Sequence, residues 1–440
     1  MTQLVIPSYS IVVTPPQGTS SLHMVEIDKA KVRPKNKHIR LRKDSMKRQM
    51  ADCSFGDFID QLDFTAWQFF HAAKKTELAS SFTNTDADRR AFAFALEHEN
   101  TFIWNTGNFR KQDSSVFALE DFASEGFAGR IGEAVAYLTM IKWGYVFWDR
   151  CATVWERAAR SANITHPEQL RVAQYLSSRV ASGRPKNEPD FIFEKLNGDV
   201  ALMEGKGSFV NPTKDNPSTK TDLQQALRQL AAWSAVIAPA PQKNFGIGTY
   251  LREEHDGNGD PSLIAYVDPP GQLERDVPPV ELHNDLVRRC NYGAWLVGMG
   301  LVSAGHALRD IREKNVEAID LPIIEVDGRN FAFTTAGWKT SPGLDIPFIG
   351  PWRWTISFPH PWPSKSSIFA IGIEQGVMHL IAEAIHRPRA STLNQLDRQG
   401  LTDLPKPKRD TSWSVMPDGS FLGIFDRSSL EFKGMEKFKL

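Results

Sequence analysis

Hydrophobic and polar positions in the middle of the chain predict a helix, a strand and then a β-hairpin. Apolar residues recur at the spacing of one helix face, at Ile131, Ala134, Val135, Leu138 and Ile141. Gly144 follows as a helix stop, and the apolar run 145–148 is typical of a strand. Two further apolar runs on either side of the turn dipeptide Asn197-Gly198 predict the hairpin.

The length of the hairpin loop decides which side chains share a face of the sheet. Side chains alternate along a strand, so Glu204 and Lys206 point to the same side. A two-residue loop would turn Asp190 to the other side, whereas a three-residue loop over 196–198 pairs Asp190 with Glu204. Because Gly198 supplies the left-handed residue that the third loop position needs, we predict the three-residue loop or a bulge of the same effect.

The residues at the open end of this hairpin indicate metal chemistry. Asp190 begins the first apolar run, and Glu204 and Lys206 end the second. Two carboxylates at one end of a hairpin can hold a hard divalent cation such as Mg²⁺, which prefers oxygen ligands. A lysine beside that ion can orient or activate a water molecule for attack on a phosphodiester. Taken alone, Glu204 and Lys206 would be a surface ion pair of little energetic value. The glycines beside them, Gly205 and Gly207, would let a phosphate backbone approach the strand closely.

This set of residues resembles the PD-(D/E)XK nuclease superfamily, which includes many restriction endonucleases. The resemblance lies in Pro189-Asp190, in Glu204-Gly205-Lys206, in Glu133 on the helix before the hairpin, and in a polar helix predicted over 221–230. It extends over residues 126–270, about a third of the chain. Taken alone, Glu133 would be interpreted as a solvated helix residue, and only the whole set gives it a role.

The resemblance implies a fold, a cofactor and a reaction. The fold would be α/β, with a restriction-endonuclease-like mixed sheet flanked by helices. The ligands of Mg²⁺ (or Mn²⁺) would be Asp190, Glu204, the Gly205 carbonyl and Glu133. Lys206 would position or activate the attacking water and stabilise charge on the phosphate. The substrate would be DNA rather than RNA, and analogy alone suggests a role in restriction or anti-phage defence.

The helix after the hairpin adds polar candidates. It is predicted over 221–230, with Thr221 and Gln224 as a capping box. Three polar residues lie away from the centre of its apolar face: Gln225, Arg228 and Gln229. We expect one of them to contact the scissile phosphate or to position Lys206. An ordinary solvated face is an equally good interpretation of each one.

Composition and charge restrict the class of protein. The 440 residues are 41% hydrophobic and 10% aromatic, which is ample for a buried core, and 52 basic residues balance 52 acidic ones. Positive charge is concentrated in the run 29–48, where ten Lys or Arg residues stand against Asp44. Such a run can neutralise phosphates, which makes Lys35, Lys37, Arg40 and Arg42 candidate nucleic-acid contacts. A solvated, flexible arm is the competing interpretation.

The sequence gives no indication of membrane insertion or secretion. No apolar run approaches the roughly 18 residues that a membrane span needs, and residues 1–13 lack the basic segment of a signal peptide. Cys53, Cys151 and Cys290 are too far apart for a zinc site and argue for a reducing compartment. We therefore expect a soluble cytoplasmic protein without a membrane partner.

We divide the chain into four regions. They are a basic N-terminal extension over 1–50, a helical region over 51–125, the nuclease core over 126–270 with a helical insertion at 150–187, and a separate α+β region over 271–440. The helical region is predicted from the spacing of Phe55, Phe58, Ile59 and Leu62. The last region begins with an apolar helix over 286–308 and then becomes β-rich, with Pro and Trp clusters over 338–362. It could bind a protein partner, form a homodimer or recognise the target.

Other chemistries fit the sequence less well. Gly205-Lys206 is not a nucleotide-binding loop, because Val200 and Gly207 stand where that motif needs Gly and Ser or Thr. His379, Glu383 and His386 share one helix face at ligand spacing, but a solvated polar face is the better interpretation. Two functional alternatives stay open: a non-catalytic nucleic-acid-binding or assembly subunit on a nuclease fold, and an RNA-cleaving toxin.

Overall fold

A computed structural model describes most of the predicted core and parts of the flanking regions. The described residues are 17–27, 59–78, 101–113, 121–161, 189–209, 219–234, 237–255, 261–268, 280–283, 285–310, 318–336, 367–388, 390–398, 408, 410–426 and 431–440. The basic run 29–48, with Lys35, Lys37, Arg40 and Arg42, lies outside them. So do Phe55, Phe58, most of the predicted insertion and the segment 338–362.

The larger sheet is mixed and has seven strands within the described residues. In chain order the strands of this half are β1 (Thr19–Glu26), β2 (Ile59–Thr65), β3 (Phe102–Ile103), β4 (Arg110–Lys111), β5 (Tyr145–Arg150), β6 (Phe191–Lys195), β7 (Val200–Phe209), β8 (Ile237–Ala238), β9 (Lys243–Leu251), β10 (Leu263–Val267) and β11 (Val280–Glu281). The sheet order is β2-β1-β10-β9-β7-β6-β5, and its parallel pairs are β1 with β10 and β7 with β9. β3 pairs with β4, and β8 with β11, in two small sheets.

Helices cover the two faces of this sheet. They are α1 (Ala66–Leu78), α2 (Asp121–Lys142), α3 (Cys151–Ser161) and α4 (Thr219–Ser234). Helix α2 packs against β7 on the face that buries Phe193 and Met203. Helix α4 is the crossover between the parallel strands β7 and β9, which need a long connection because their starts lie at the same end. The chain is therefore mixed α/β.

The first regions of the chain differ from the prediction. Residues expected to form an extension and a helix instead form β1 and β2, which pair antiparallel. In β2, Leu62 and Phe64 are buried while Gln61 and Asp63 are exposed, which is the period of two of a strand. The helical spacing assigned to Ile59 and Leu62 is therefore wrong.

The helices predicted before and after the hairpin both form, but the second begins earlier than predicted. Helix α2 begins at Asp121 and ends where Gly144 takes φ +84° and donates its backbone N–H to the Ile141 carbonyl, so the predicted helix stop is confirmed. Helix α4 begins at Thr219, two residues before Thr221. The prediction that Thr221 caps this helix is therefore wrong.

The second half of the chain forms its own antiparallel sheet. Its elements are α5 (Leu286–Gly298), α6 (Val302–Asp310), β12 (Ala318–Val326), β13 (Arg329–Ala336), β14 (Ser367–Glu374), α7 (Gln375–His386), β15 (Trp413–Val415), β16 (Ser420–Asp426) and β17 (Glu431–Lys439). The strand order is β15-β16-β14-β13-β12-β17. The single helix predicted over 286–308 is two helices, because Gly300 between them takes φ +82°.

The two sheets contribute to one continuous cluster of buried apolar side chains. Phe147, Ile192 and Leu202 of the larger sheet belong to the same cluster as Trp295 of α5 and Ile373 of β14. Buried ion pairs also join the halves: Arg288 Nε lies 2.6 Å from Glu194 Oε1, and Arg309 Nη2 lies 2.9 Å from Asp149 Oδ2. The boundary proposed at residue 270 stays a prediction. No helix among the described residues is long and apolar enough to cross a membrane.

Candidate active site

The hairpin loop sets the positions of the acidic residues. β6 and β7 pair Phe191 with Met203, and the same register continues to Asp190 opposite Glu204. At the closed end the Lys195 N–H donates to the Asp199 carbonyl at 2.9 Å, which leaves a three-residue loop over 196–198. Gly198 takes φ +89°. The three-residue loop predicted from the sequence is confirmed.

Asp190 and Glu204 are joined by two hydrogen bonds across the hairpin. The backbone N–H of Asp190 donates to Glu204 Oε2 at 2.9 Å, and the backbone N–H of Gly205 donates to Asp190 Oδ2 at 3.0 Å. Each carboxylate is thus held by the backbone of the opposite strand. Such contacts fix the direction of a side chain more firmly than a contact between two flexible side chains.

Glu204 lies in an environment that disfavours its charge. Its side chain is 1% exposed, whereas the side chain of Asp190 is 22% exposed. Burial, and then the neighbouring Asp190 carboxylate, raise the pKa of Glu204 to about 9 in spite of the opposing effect of Lys206. A cation bound between these carboxylates would relieve their repulsion. The environment of Glu204 therefore favours the binding of a cation.

Lys206 lies on the same face as Glu204 and contacts α4. Its Nζ donates to Glu204 Oε1 and lies 3.3 Å from Gln229 Oε1. Gln229 is buried, whereas Gln225 and Arg228 of the same helix are exposed. Of the three polar residues singled out on this helix, Gln229 is the one that the structure brings to Lys206.

Arg150 is the residue of this cluster that the sequence analysis missed. It ends β5, and its guanidinium binds both carboxylate oxygens of Glu133: Nη1 lies 3.1 Å from Oε1 and Nη2 lies 2.7 Å from Oε2. Nη1 also lies 3.6 Å from Asp190 Oδ1. Burial alone would lower the pKa of Arg150, but the carboxylates of Glu133 and Asp190 raise it overall. An Arg at a strand end carries no sequence signal that separates it from a solvated surface residue.

The glycines of β7 have a different role from the one expected of them. We interpreted Gly205 and Gly207 as places where a phosphate could approach the strand. A Cβ atom on Gly207 would lie 1.8 Å from the Ala128 carbonyl oxygen, and one on Gly132 would lie 2.6 Å from the Gly207 Cα. These two glycines therefore allow α2 to pack directly on the backbone of β7, which brings Glu133 to the site.

The carboxylate oxygens of Asp190 and Glu204 are suitable ligands for a hard cation, whereas Glu133 lies apart from them. Asp190 and Glu204 offer carboxylates, the ligand type that Mg²⁺ prefers. The carboxylates of Glu133, Asp190 and Glu204 do not form one tight group. In the part of the chain that the structure describes, the group whose ligand atoms all lie within 4.8 Å of one another is Asp113, Glu254 and His255.

The alternative set of candidate ligands on α7 forms surface ion pairs instead. His379 Nε2 lies 3.0 Å from Glu436 Oε1, and Glu383 pairs with Arg387 at 2.9 Å. The third residue, His386, is exposed and contacts the Lys439 carbonyl. This is the polar helix face that we favoured over a metal site.

The chain was compared with protein-family models, with curated proteins and with solved structures, and none of the three comparisons gave a match. The geometry of the cluster around Asp190, Glu204 and Lys206 is therefore the basis for assigning a function.

Proposed function

We propose that the protein is a divalent-metal-dependent nuclease that hydrolyses phosphodiester bonds of DNA. The observation that carries this proposal is the register of the hairpin, which joins Asp190 to Glu204 and puts Lys206 on the same face. A buried Glu204 beside the half-buried carboxylate of Asp190 is costly for a purely structural element, since the charged form of Glu204 is poorly solvated and is repelled by its neighbour. Binding a cation and a phosphate at the same place would give that arrangement a purpose.

Asp190 and Glu204 would hold Mg²⁺ (or Mn²⁺), with the Gly205 carbonyl as a further oxygen ligand. A bound divalent ion supplies charge stabilisation on the phosphate and lowers the pKa of a bound water. Asp190 and Glu204 orient their carboxylates through the backbone N–H groups that each one meets across the hairpin. These contacts hold the ligands in place before any substrate binds, which reduces the ordering needed at the moment of reaction.

Lys206 would place its ammonium group beside the attacking water and the scissile phosphate. Gln229 accepts from that ammonium at 3.3 Å and so limits where it can point. As the bond from the water oxygen to phosphorus forms, the bond from phosphorus to the leaving oxygen breaks. The ammonium stabilises the negative charge that collects on the phosphate oxygens. Lys206 is therefore assigned to charge stabilisation and to positioning of the water.

The surrounding fold supports the same proposal. A helix carrying an acidic residue, a hairpin carrying the Asp and the Glu-x-Lys, and a crossover helix that leads to a parallel strand follow one another in this chain. This is the order implied by a restriction-endonuclease-like fold. Arg228 and Gln225, exposed on the crossover helix, are candidate contacts to the nucleic-acid backbone. A role in restriction or anti-phage defence is the biological setting that we propose.

The test is Mg²⁺- or Mn²⁺-dependent cleavage of plasmid, linear and single-stranded DNA and RNA by the purified chain. Lys206→Ala and Asp190→Asn should abolish cleavage and leave folding intact. Lys243→Ala is the matched control, because Lys243 lies at the far end of the neighbouring strand and pairs with Asp268. Full activity of Lys206→Ala would refute the mechanism. Binding of nucleic acid without cleavage would favour the non-catalytic subunit, and cleavage restricted to RNA would favour the toxin.

A further inference from the structure

Arg150 is held at the edge of the candidate site by contacts from several directions. Its two terminal nitrogens bind the Glu133 carboxylate, and Nη2 also lies 3.2 Å from the Thr76 carbonyl. Its guanidinium carbon lies 4.3 Å from the centre of the Phe191 ring. A guanidinium held by a bidentate carboxylate, a carbonyl and an aromatic ring is a fixed positive charge rather than a mobile surface group.

The guanidinium of Arg150 lies between Glu133 and the acidic residues of the hairpin. Glu204 and Lys206 share the face of β7 that carries Leu202, whereas α2, which carries Glu133, packs against the face that carries Met203 and Gly205. Arg150 spans this division, since Nη1 lies 3.1 Å from Glu133 Oε1 and 3.6 Å from Asp190 Oδ1.

We infer that Arg150 takes the place of a second cation, so that the site binds a single divalent ion between Asp190 and Glu204 while Glu133 acts only by positioning Arg150. This inference rests on the proposed function, and it replaces the expectation that Glu133 is a metal ligand. Sites of phosphodiester hydrolysis that use two metal ions spread positive charge over both the attacking and the leaving oxygens. Here a guanidinium would supply the second of these charges.

The charges of the cluster agree with a single ion. Arg150 neutralises Glu133 directly, so a second divalent ion there would have to displace a charge-assisted, bidentate contact. Asp190 and Glu204 together with one divalent ion leave no uncompensated charge, and Lys206 remains for the phosphate. Within the described residues, the ligand atoms of Glu133, Asp190 and Glu204 do not all lie within 4.8 Å of one another. This distance also favours a single ion that Glu133 does not bind.

The first experiment counts Mn²⁺ ions bound per chain, by electron paramagnetic resonance of the free ion and by calorimetry. His255→Gln serves as the common background, because it removes a ligand from the separate group around Asp113. We expect one Mn²⁺ in this background and none after Asp190→Asn. Two ions in the native site would overturn the inference about Arg150 while leaving the nuclease proposal standing. No ion, or an ion that survives Asp190→Asn, would count against the proposed function itself.

The second experiment changes Arg150 in the same background. Arg150→Met keeps an unbranched apolar side chain, although a shorter one, and removes the charge. Because Glu133 and Asp190 are then uncompensated, we expect bound Mn²⁺ to rise from one to two per chain. Adding Glu133→Gln to that variant should return the count to one. Arg150→Lys, which keeps the charge, should bind one ion. A count of one for Arg150→Met, in protein shown to be folded by circular dichroism, would contradict the inference.

Discussion

The backbone N–H of Asp190 donates a hydrogen bond to Glu204 Oε2, at 2.9 Å. This contact exists because the loop of the hairpin has three residues. Removing one loop residue would shift the pairing by one position and turn one of these two side chains to the other face of the sheet. The candidate site is therefore encoded partly by the length of a loop that lies at the opposite end of the hairpin.

The first prediction concerns Gly198, which lies in that loop with φ +89°. Gly198→Ala should lower the free energy of unfolding by about 1–2 kcal/mol, because a Cβ is strained in the left-handed region. Urea unfolding measures this change. Gly107→Ala, at a position with open space and no positive φ, should be near neutral. Cleavage should persist in both variants, and a Gly198→Ala protein as stable as the native chain would contradict the assigned loop.

The second prediction concerns the close contact of α2 with β7. Gly207→Ala should cost about 1–3 kcal/mol, because its new methyl group would meet the Ala128 carbonyl and force the helix away from the strand. Cleavage should fall as well, since α2 carries Glu133. Gly205→Ala is the matched control for stability, because its nearest contacts would lie at 3.6 Å, an ordinary distance. Equal thermal stability of the two variants would show that the helix does not pack as described.

The third prediction concerns the effect of metal on stability. A ligand that binds only the folded state stabilises it, by about 2.7 kcal/mol at one hundred times its dissociation constant. Mg²⁺ or Mn²⁺ should therefore raise the unfolding temperature of the native chain, and addition of EDTA should reverse the change. Asp190→Asn should abolish the effect. If the metal stabilised Asp190→Asn as much as the native chain, the ion would bind elsewhere.

The fourth prediction concerns the contact between Gln229 and Lys206. Gln229→Leu should lower kcat by roughly tenfold with little change in the unfolding temperature, because residues that orient a functional group typically contribute 10–100-fold. Gln242→Leu, at an exposed position where the side chain contacts Asp199 at the closed end of the hairpin, should leave kcat unchanged. Steady-state kinetics on a fluorescent oligonucleotide separates kcat from KM. A Gln229→Leu protein with the native kcat would contradict the positioning role of this residue.

The fifth prediction concerns pH and the buried His71, whose ring stacks on Trp295 at 4.9 Å. Burial, and then the charge of Lys75, hold the pKa of His71 well below its usual range. In the unfolded chain His71 gains a proton below about pH 6.5, whereas in the folded chain it stays neutral. The unfolded state then binds more protons, so stability falls as the pH drops from about 6.5, by at most ~1.4 kcal/mol per pH unit.

Urea unfolding between pH 7 and pH 5 checks this prediction. His71→Gln should flatten the decline in stability on the acid side. His255→Gln, at an exposed position where Asp113 raises the pKa of the histidine, should not flatten it. A His71→Gln protein that shows the same acid-side slope as the native chain would mean that another group is responsible.

Local patterns predicted the parts of the site that lie close together in sequence. The turn glycine and the alternation of side chains were enough to place Asp190 opposite Glu204, because both follow from backbone geometry over about fifteen residues. The apolar stripe of α2 was also readable. The same reasoning failed at β2, where Ile59 and Leu62 satisfy a helical spacing although polar and apolar residues alternate from Gln61 to Phe64, which is the period of a strand.

Contacts between distant segments could not be predicted in this way. The guanidinium of Arg150 contacts Glu133 because β5 folds back beside α2. The sequence of neither segment predicts this contact. The approach of Gly132 to Gly207 likewise depends on how a helix crosses a sheet. A glycine beside acidic residues suggested access for a phosphate, whereas the structure shows that its lack of a side chain admits a helix backbone.

The ion pair between Arg309 and Asp149 has a consequence for the way in which this protein can be divided. Asp149 is the neighbour of Arg150 in β5, and its partner comes from the second half of the chain. A fragment ending near residue 270 would leave Asp149 and Glu194 as buried acids without their arginines, a severe penalty for folding. Recombination could therefore not transfer the candidate site to another gene as a separate cassette, because the residues that hold it need the C-terminal half of the chain in order to fold.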